Sequence, residues 1–264
     1  MQDIIVLDES HLNDIISLLL EHYEPASFDE SVLRSSFNSS VSIGFFHNDE
    51  LRGHIMGIPV QMHGELKGDT NWCHVTYLCI HPEHRKTDVM KRLRSRLEDE
   101  LMNLDIISGY SLTRFPLTKQ SIPCYQFSTE ALDSWDGTIE LIDSSEVEIN
   151  SGDLVSISAH CPVYRCFKDG SLIGYFSKST LEGVENTEMI TWMYAVSNMN
   201  ELFNAARVSD NKIIGFNMYK LEYSDSLLSD DVTIDYLNRL YINIHGDDTI
   251  LTKTRRAYLN LHIF

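Results

Sequence analysis

His74-Val-Thr-Tyr-Leu-Cys-Ile-His-Pro-Glu-His-Arg-Lys-Thr-Asp-Val-Met-Lys91, with the helix expected to follow it to about Leu104, is the stretch around which the chain is read. Val75, Tyr77 and Cys79 alternate with Thr76 and Leu78, and Ile80 completes a β-branched and aromatic run that predicts a strand. Pro82 stops it. After a short polar turn, Val89, Leu93, Leu97, Leu101 and Leu104 recur at helical spacing as one apolar stripe. The unit is strand, basic turn, helix.

The charges on that helix run against its dipole. Arg85, Lys86, Lys91, Arg92, Arg94 and Arg96 crowd the turn and the first half, while Glu98, Asp99 and Glu100 sit towards the end. A helix favours acids at its start and bases at its finish by about 0.3–1 kcal/mol per group, so this order is unfavourable unless an anion docks at the start. Exposed N–H groups with clustered cations make a phosphate site. A charge run is ordinarily a solvated face. Here, however, 21 Lys+Arg stand against 39 Asp+Glu, a formal charge of −18, and six bases within twelve residues reverse that background locally.

Length allows one large domain or two of about 130 residues, either able to bury a core. With 43% hydrophobic and 23% charged residues, the composition is that of a soluble globular protein. No run approaches the roughly eighteen apolar residues of a membrane span, and no basic leader precedes an apolar block. The expectation is a cytoplasmic chain without a membrane span. Five cysteines, an odd number, fit a reducing compartment as small buried hydrophobes. The acidity argues against nucleic acid and for neutral or basic peptide partners.

In chain order, Ile4–Leu7 predicts a first strand, and Asp8 to Ser10 caps a helix with Leu12, Ile15, Ile16, Leu19 and Leu20 on one face. An acidic loop, Tyr23 to Glu30, leads to a shorter helix from Val32 to Phe37. Val41–His47 and Leu51–His63 form a hairpin around Asn48-Asp-Glu50. The central strand and helix follow, then a strand near Ile106 to Leu112 and a turn from Phe115 to Pro123. Phe46, Leu51 and Gly53 have counterparts in Phe167, Leu172 and Gly174, each displaced by the same 121 residues. A strand from Ile190 to Val196, a helix from Asn200 to Val208 and a strand from Ile214 to Leu221 then replay the first half. The second copy has Asn198-Met-Asn-Glu-Leu where the first has its bases, so only the first suits a pyrophosphate.

Tyr77-Leu-Cys-Ile-His81, followed by Arg85 and a helix, resembles the phenylalanine-leucine-cysteine-valine-histidine segment of the eukaryotic glycylpeptide N-myristoyltransferases, two-lobed acyl-CoA transferases of the GNAT fold. Leu51-Arg-Gly-His-Ile-Met-Gly-Ile-Pro-Val-Gln-Met-His63 resembles that family's hairpin strand. Cys124-Tyr-Gln-Phe127 is similar to its cysteine-arginine-tyrosine-tryptophan turn, and Gly215-Phe-Asn-Met-Tyr-Lys-Leu221 is more distantly similar to a strand of its second lobe. The resemblance covers residues 1–130 well and continues weakly but collinearly to the end. Asp88, Met90 and Thr76 depart from the family pattern. The length leaves no room for the family's CoA-wrapping arm, which suggests a compact, viral-type member working in the host cytoplasm.

The resemblance implies an α/β (α+β) fold of two pseudo-symmetric GNAT-like lobes, each a mixed, mostly antiparallel sheet flanked by helices. Residues 1–133 would bind acyl-CoA, and residues 134–264 would supply the peptide groove and the C-terminal carboxylate. It implies a fatty acyl transfer from CoA, myristoyl-CoA in the family, to the N-terminal glycine of proteins by direct attack, by a monomer. No permanently bound cofactor and no metal are expected: His160, Cys161 and Cys166 lack a fourth ligand at zinc spacing. There is also no Gly-x-Ser-x-Gly, Walker or dinucleotide motif.

By the same resemblance the Tyr77 and Leu78 amides would stabilise the thioester oxygen, on a strand that bulges and splays from its neighbour. Tyr77, Leu78, Cys79, Ile80, Arg85, Lys86, Thr87, Asp88, Val89 and Met90 would hold the CoA. Tyr23, Glu24, Asp29, Thr76 and Tyr194 would meet the peptide. The carboxylate of Phe264 would take the amine proton, which needs only a weak base because an N-terminal amine has a pKa near 8. His81 carries the family's histidine in a supporting role. Two alternatives stand beside this reading: a GNAT enzyme using a shorter acyl-CoA, and a non-catalytic module binding acyl-CoA or an acylated peptide.

Overall fold

The computed structural model describes residues 2–23, 28–63, 71–113, 117, 121–149, 154–157, 160–180, 185–218, 234–245 and 259–260. The first half runs β1 (Gln2–Val6), α1 (Leu12–His22), α2 (Glu30–Phe37), β2 (Val41–His47), β3 (Glu50–His63), β4 (Asn71–Ile80), α3 (Val89–Met102), β5 (Ile106–Thr113) and β6 (Ser121–Glu130). The second runs β7 (Thr138–Ile142), β8 (Leu154–Ile157), β9 (Val163–Lys168), β10 (Ser171–Thr180), β11 (Thr187–Ala195), α4 (Met199–Ala206), β12 (Ile213–Met218), β13 (Ile234–His245) and β14 (Leu259–Asn260).

The internal repeat is exact at its hairpins. Asn48 and Asp49 turn β2 into β3 with φ of 53° and 63°, and Asp169 and Gly170 turn β9 into β10 with φ of 49° and 74°. Two successive positive φ values are the two-residue hairpin turn whose twist matches that of its strands. Phe46 pairs with Leu51 and Phe45 with Gly53, leaving Arg52 as the extra residue of a bulge. Phe167 pairs with Leu172 and Cys166 with Gly174, leaving Ile173 extra. Turn and bulge both recur at the displacement read from the sequence. Each half also has a parallel pair of consecutive strands joined through a helix, β4 with β5 and β11 with β12.

The halves interleave. The strand order is β1-β2-β3-β4-β5-β13-β6-β12-β11-β10-β9-β7, with β8 on β3 and β14 on β8. β13, from the second half, lies between β5 and β6, and β6, from the first half, joins β12. The two mixed sheets are thereby one continuous hydrogen-bonded surface, related by a pseudo-twofold between β13 and β6.

α3 covers one face of the first sheet, where Val89, Leu93, Leu97 and Leu101 pack on Val41, Ile43, Phe45 and Ile55. Burying such side chains contributes about 1.5–3 kcal/mol each. Gly53 lets the helix approach, since a Cβ there would stand 3.2 Å from Leu93 Cδ1. The opposite face packs α1 and α2 through Ile15, Leu19, Leu33 and Phe37 against Met56, Ile58, Tyr77 and Cys79. In the second half, α4 buries Leu202, Phe203 and Ala206 against Phe176, Ile190 and Ile214.

Two local expectations are corrected. α3 ends at Met102, and Leu104, expected in its stripe, is 55% exposed just before Asp105, whose φ is +57°. Cys124 to Phe127, expected as a turn, lies inside β6. Asn243 and His245 lie in β13. Asparagine and histidine are poor strand formers locally, but here both strands have ladder partners on two sides, and long-range pairing overrides propensity. Asn243 is fully buried: its Oδ1 accepts from Leu117 N at 2.7 Å and Ser121 Oγ at 2.6 Å, and its Nδ2 donates to Thr113 Oγ1 at 2.7 Å. It staples the junction where β13 enters between β5 and β6.

Candidate active site

The site begins as an irregularity in β4. His54 pairs with Cys79 and Met56 with Thr76, so Tyr77 and Leu78 together oppose the single residue Ile55. This is a β-bulge, and its first residue, Tyr77, has φ of +52°. Among the described residues Tyr77 is the one non-glycine within a strand at positive φ, a conformation that costs on the order of 1–3 kcal/mol and persists only where neighbours over-determine it.

The bulge changes the phase of the strand. Val75 packs on the α3 face, whereas Tyr77 and Cys79 pack on the α1 face. The sequence alternation had placed all three together. The extra residue breaks the period of two, turns Leu78 out to 38% exposure and returns Ile80 to the α3 face.

On its other edge β4 parts from β5. The parallel ladder runs only from Asn71 to Val75, after which β5 continues on β13 as far as Thr113. Thr76 to Ile80 therefore flank a wedge. Two side chains hold the bulge open beside it. His54 Nδ1 lies 3.1 Å from the Tyr77 carbonyl oxygen, and His54 Nε2 lies 2.8 Å from Ser42 Oγ. In a planar trans peptide the N–H points opposite to the carbonyl. A Tyr77 carbonyl drawn towards β3 thus sends the Leu78 N–H away from β3, to the side from which β5 has departed.

The Tyr23 phenol lies beside Thr76 and the Tyr77 backbone; burial raises its pKa, and those two neighbours oppose the rise. Tyr23, Phe28 and Tyr77 form a ring cluster with centroids 6.1–6.5 Å apart. The Tyr77 hydroxyl is buried within it without a hydrogen-bond partner among the described residues, and burial, followed by the proximity of Tyr23, drives its pKa well up. Of the two amides expected to face an oxyanion, Leu78's is the one that the Tyr77 carbonyl contact aims at the wedge.

The basic turn comes next. His81 caps the short turn Pro82–His84 and stacks edge-on with His22, ring centroids 4.6 Å apart. Burial first, then the nearby Arg52 and His22, keeps His81 below its ordinary pKa. α3 then starts at Val89 with Asp88 at its N-cap, exposed and making no capping bond, and with no acid in the first turn. By contrast, α4 is capped by Asn198, whose Oδ1 accepts from Glu201 N at 3.2 Å. The N-cap side chain closes the helix start in the second half but not in the first, where the Val89 N–H reaches only Thr87 Oγ1, at a long 3.4 Å.

The six bases divide. Arg94 and Arg96 pair with Glu98 and Glu100 one turn on. Arg92 lies over the Phe45 ring, 5.8 Å from its centroid. Arg85 donates to the Ile80 carbonyl at 2.9 Å and the His22 carbonyl at 2.8 Å. Lys86 and Lys91 form no ion pair among the described residues, and with Thr87 and Met90 they are exposed around the open helix start.

The residues expected to meet a peptide are only partly brought together. Tyr23 and Thr76 touch at the bulge. Asp29 is buried as the N-cap of α2, accepting from Val32 N at 3.0 Å and Ser31 Oγ at 2.6 Å. Tyr194 is buried in the second half beside Trp192, Tyr175 and Val163. Glu24 and Phe264 lie outside the described residues. His54 and Ser42 were not singled out from the sequence. The signal available was an imidazole at an inward position of an otherwise apolar strand.

Residues 11–128 match the acetyltransferase (GNAT) family model. That match covers the bulge, the basic turn and α3. No curated protein sequence matches the chain. Among solved structures, Saccharomyces cerevisiae N-myristoyltransferase with bound myristoyl-CoA superposes with a TM-score of 0.71 at 11% identity, over 92% of this chain and 78% of that one. A second structure of that enzyme with myristoyl-CoA gives 0.70 at 12% identity, over 92% and 82%. A conserved Enterococcus faecalis protein of unknown function, described as a probable N-acyltransferase, gives 0.55 at 12% identity over 98% and 75%. The chain has the two-lobed GNAT fold of the N-myristoyltransferases.

Proposed function

We propose that this protein is an acyl-CoA-dependent protein N-acyltransferase that moves a fatty acyl group from CoA to an N-terminal glycine. Residues 1–133 act as the acyl-CoA lobe, and residues 134–264 form the opposing wall for the peptide. The observation that most supports this is the coincidence, within fifteen residues of one strand and helix, of a bulged strand edge and an uncapped helix start. The bulge lies at Tyr77 and Leu78 on the wedge between β4 and β5, and the helix start is ringed by Lys86 and Lys91.

In this reading the CoA phosphates meet the N–H groups at Val89 and Met90 and the two lysines, and the thioester lies along β4 in the wedge. The amine nitrogen attacks the thioester carbonyl carbon. Its oxygen gains negative charge and accepts from the Leu78 N–H, a preorganised donor of the kind that contributes about 10²–10³ in rate. The intermediate collapses, the carbon–sulfur bond breaks and CoA leaves as a thiolate. The amine proton passes to a weak base, for which the carboxylate of Phe264 is the proposed group. Tyr23 and Thr76, side by side at the bulge, orient the glycine.

The match to an acetyltransferase model favours a second version, in which the donor is a shorter acyl-CoA. One experiment tests both. A glycine-starting peptide is incubated with equimolar acetyl-, octanoyl- and myristoyl-CoA, and the products are weighed by mass spectrometry. A mass gain of one myristoyl group on the N-terminus is expected. An acetyl or octanoyl adduct assigns the shorter donor, and binding of acyl-CoA without any adduct refutes catalysis.

A further inference from the structure

We propose that His54 is a positioning residue for acyl transfer, whose imidazole, acting through the Tyr77 carbonyl, sets the direction of the Leu78 amide. The inference rests on the N-acyltransferase reading above.

The protonation pattern follows from the partners. A carbonyl oxygen only accepts, so the 3.1 Å contact from His54 Nδ1 to Tyr77 O requires the proton on Nδ1. Nε2 is then an acceptor, and the Ser42 hydroxyl, 2.8 Å away, donates to it. Ser42 is 2% exposed and His54 0%, so water does not compete for either bond. The chain Ser42 O–H to His54 N–H to Tyr77 carbonyl runs in one direction, from β2 across β3 to the bulge in β4. Burial lowers the His54 pKa to about 4, so the imidazole stays neutral and the single donor stays on Nδ1 throughout the working pH range.

This arrangement is more than filling. Met56 and Ile58, the neighbouring residues of β3 on the same face, are apolar, and an apolar side chain at position 54 would need no desolvation. The imidazole instead supplies a donor at the one peptide where the strand departs from its ladder. Tyr77, at a φ of +52°, is held at its carbonyl by His54. Among the described residues His54 is the side chain that bonds the Tyr77–Leu78 peptide, and without its donor the bulge can rotate the Leu78 N–H off the wedge.

The test compares His54→Leu, His54→Asn and Ser42→Ala with the wild type, using the peptide and whichever acyl-CoA the wild type accepts. Asparagine places an N–H donor close to the Nδ1 position, whereas leucine fills volume without one. The expected result is that His54→Leu lowers kcat by tenfold or more with KM for acyl-CoA within about twofold. His54→Asn recovers most of that loss, and Ser42→Ala lowers kcat several-fold. In wild-type protein, nitrogen NMR shifts of His54 report the Nδ1-protonated neutral ring. The proposal is overturned if the leucine and asparagine variants lose activity only in proportion to folded protein measured by thermal unfolding, or if NMR finds the proton on Nε2. If the wild type acylates no peptide with any donor, the N-acyltransferase reading itself fails and this role falls with it; an active wild type with an unaffected His54→Leu variant refutes the role alone.

Discussion

Arg85 holds the last turn of α1 by its backbone: its Nη2 donates to the carbonyl of His22 at 2.8 Å, while its Nε donates to the carbonyl of Ile80 at 2.9 Å. One guanidinium thus joins the end of β4 to the helix that delivers Tyr23 to the bulge. A cation at a helix C-terminus is also where the dipole favours it. The basic turn is therefore a fastening of the site as well as the proposed seat for phosphate.

Arg85→Ala is expected to lower stability by about 1 kcal/mol, measured by urea denaturation, because exposed hydrogen bonds of this kind have modest net worth. Arg85→Lys is expected to restore little of it. An ammonium is a point donor and does not span two carbonyls as the planar fork does.

Lys86 and Lys91 offer a cleaner test of the phosphate site, since they pair with no acid among the described residues. The double change Lys86→Ala with Lys91→Ala is expected to weaken CoA binding about tenfold at low salt, equivalent to about 1.4 kcal/mol. The loss should shrink as ionic strength rises, because the charges are exposed. The unfolding midpoint should not move. Isothermal titration calorimetry at two salt concentrations measures this.

Asp88 stands at the helix start without capping it, so its carboxylate repels an incoming phosphate. Asp88→Ser is expected to tighten CoA binding by severalfold and to supply the missing cap, raising stability by a few tenths of a kcal/mol. Weaker binding in the serine variant would remove the phosphates from this helix start.

Two buried histidines make stability depend on pH. His54 and His74 have pKa values lowered by burial to about 4 and about 3, against about 6.5 in the unfolded chain. Between these values the unfolded state binds the extra protons, so stability rises with pH there. Their contribution is fully present above about pH 6.5 and is lost as pH falls through 4 and then 3, on the order of 3 kcal/mol for His54 alone. Urea midpoints between pH 4 and 7.5 should fall towards acid, and His54→Asn should flatten the lower part of that curve.

The packing of α3 on the sheet is checked by Leu97→Ala. Leu97 is 2% exposed in the cluster with Ile43, Phe45 and Ile55. The truncation is expected to cost about 2–5 kcal/mol. Gly57→Ala tests the same contact from below, since its Cβ would stand 3.3 Å from Leu97 and Leu101 methyls and push the helix away.

What was legible beforehand was local. The apolar stripe from Val89 to Leu101 sets a helix by its own spacing, and the turns at Asn48-Asp49 and Asp169-Gly170 bracket hairpins whose shared displacement exposed the duplication. The reversed charge order at α3 also pointed to its open start, because the dipole is a property of the helix alone. The lack of bases in the second copy was likewise readable, whereas the cap that Asn198 places on α4 came from the structure.

The sequence by itself determined which segments are helix and hairpin, since each follows from periodicity and turn chemistry within a dozen or so residues. Only the tertiary structure decided that β13 enters between β5 and β6, that the strand phase flips at Tyr77, and that Asp29 caps a helix. It also decided that a histidine on β3 governs a peptide on β4. Those outcomes depend on hydrogen bonds between residues far apart in the chain, and a strand's own pattern does not specify which neighbour will complete its ladder or where one extra residue will shift it.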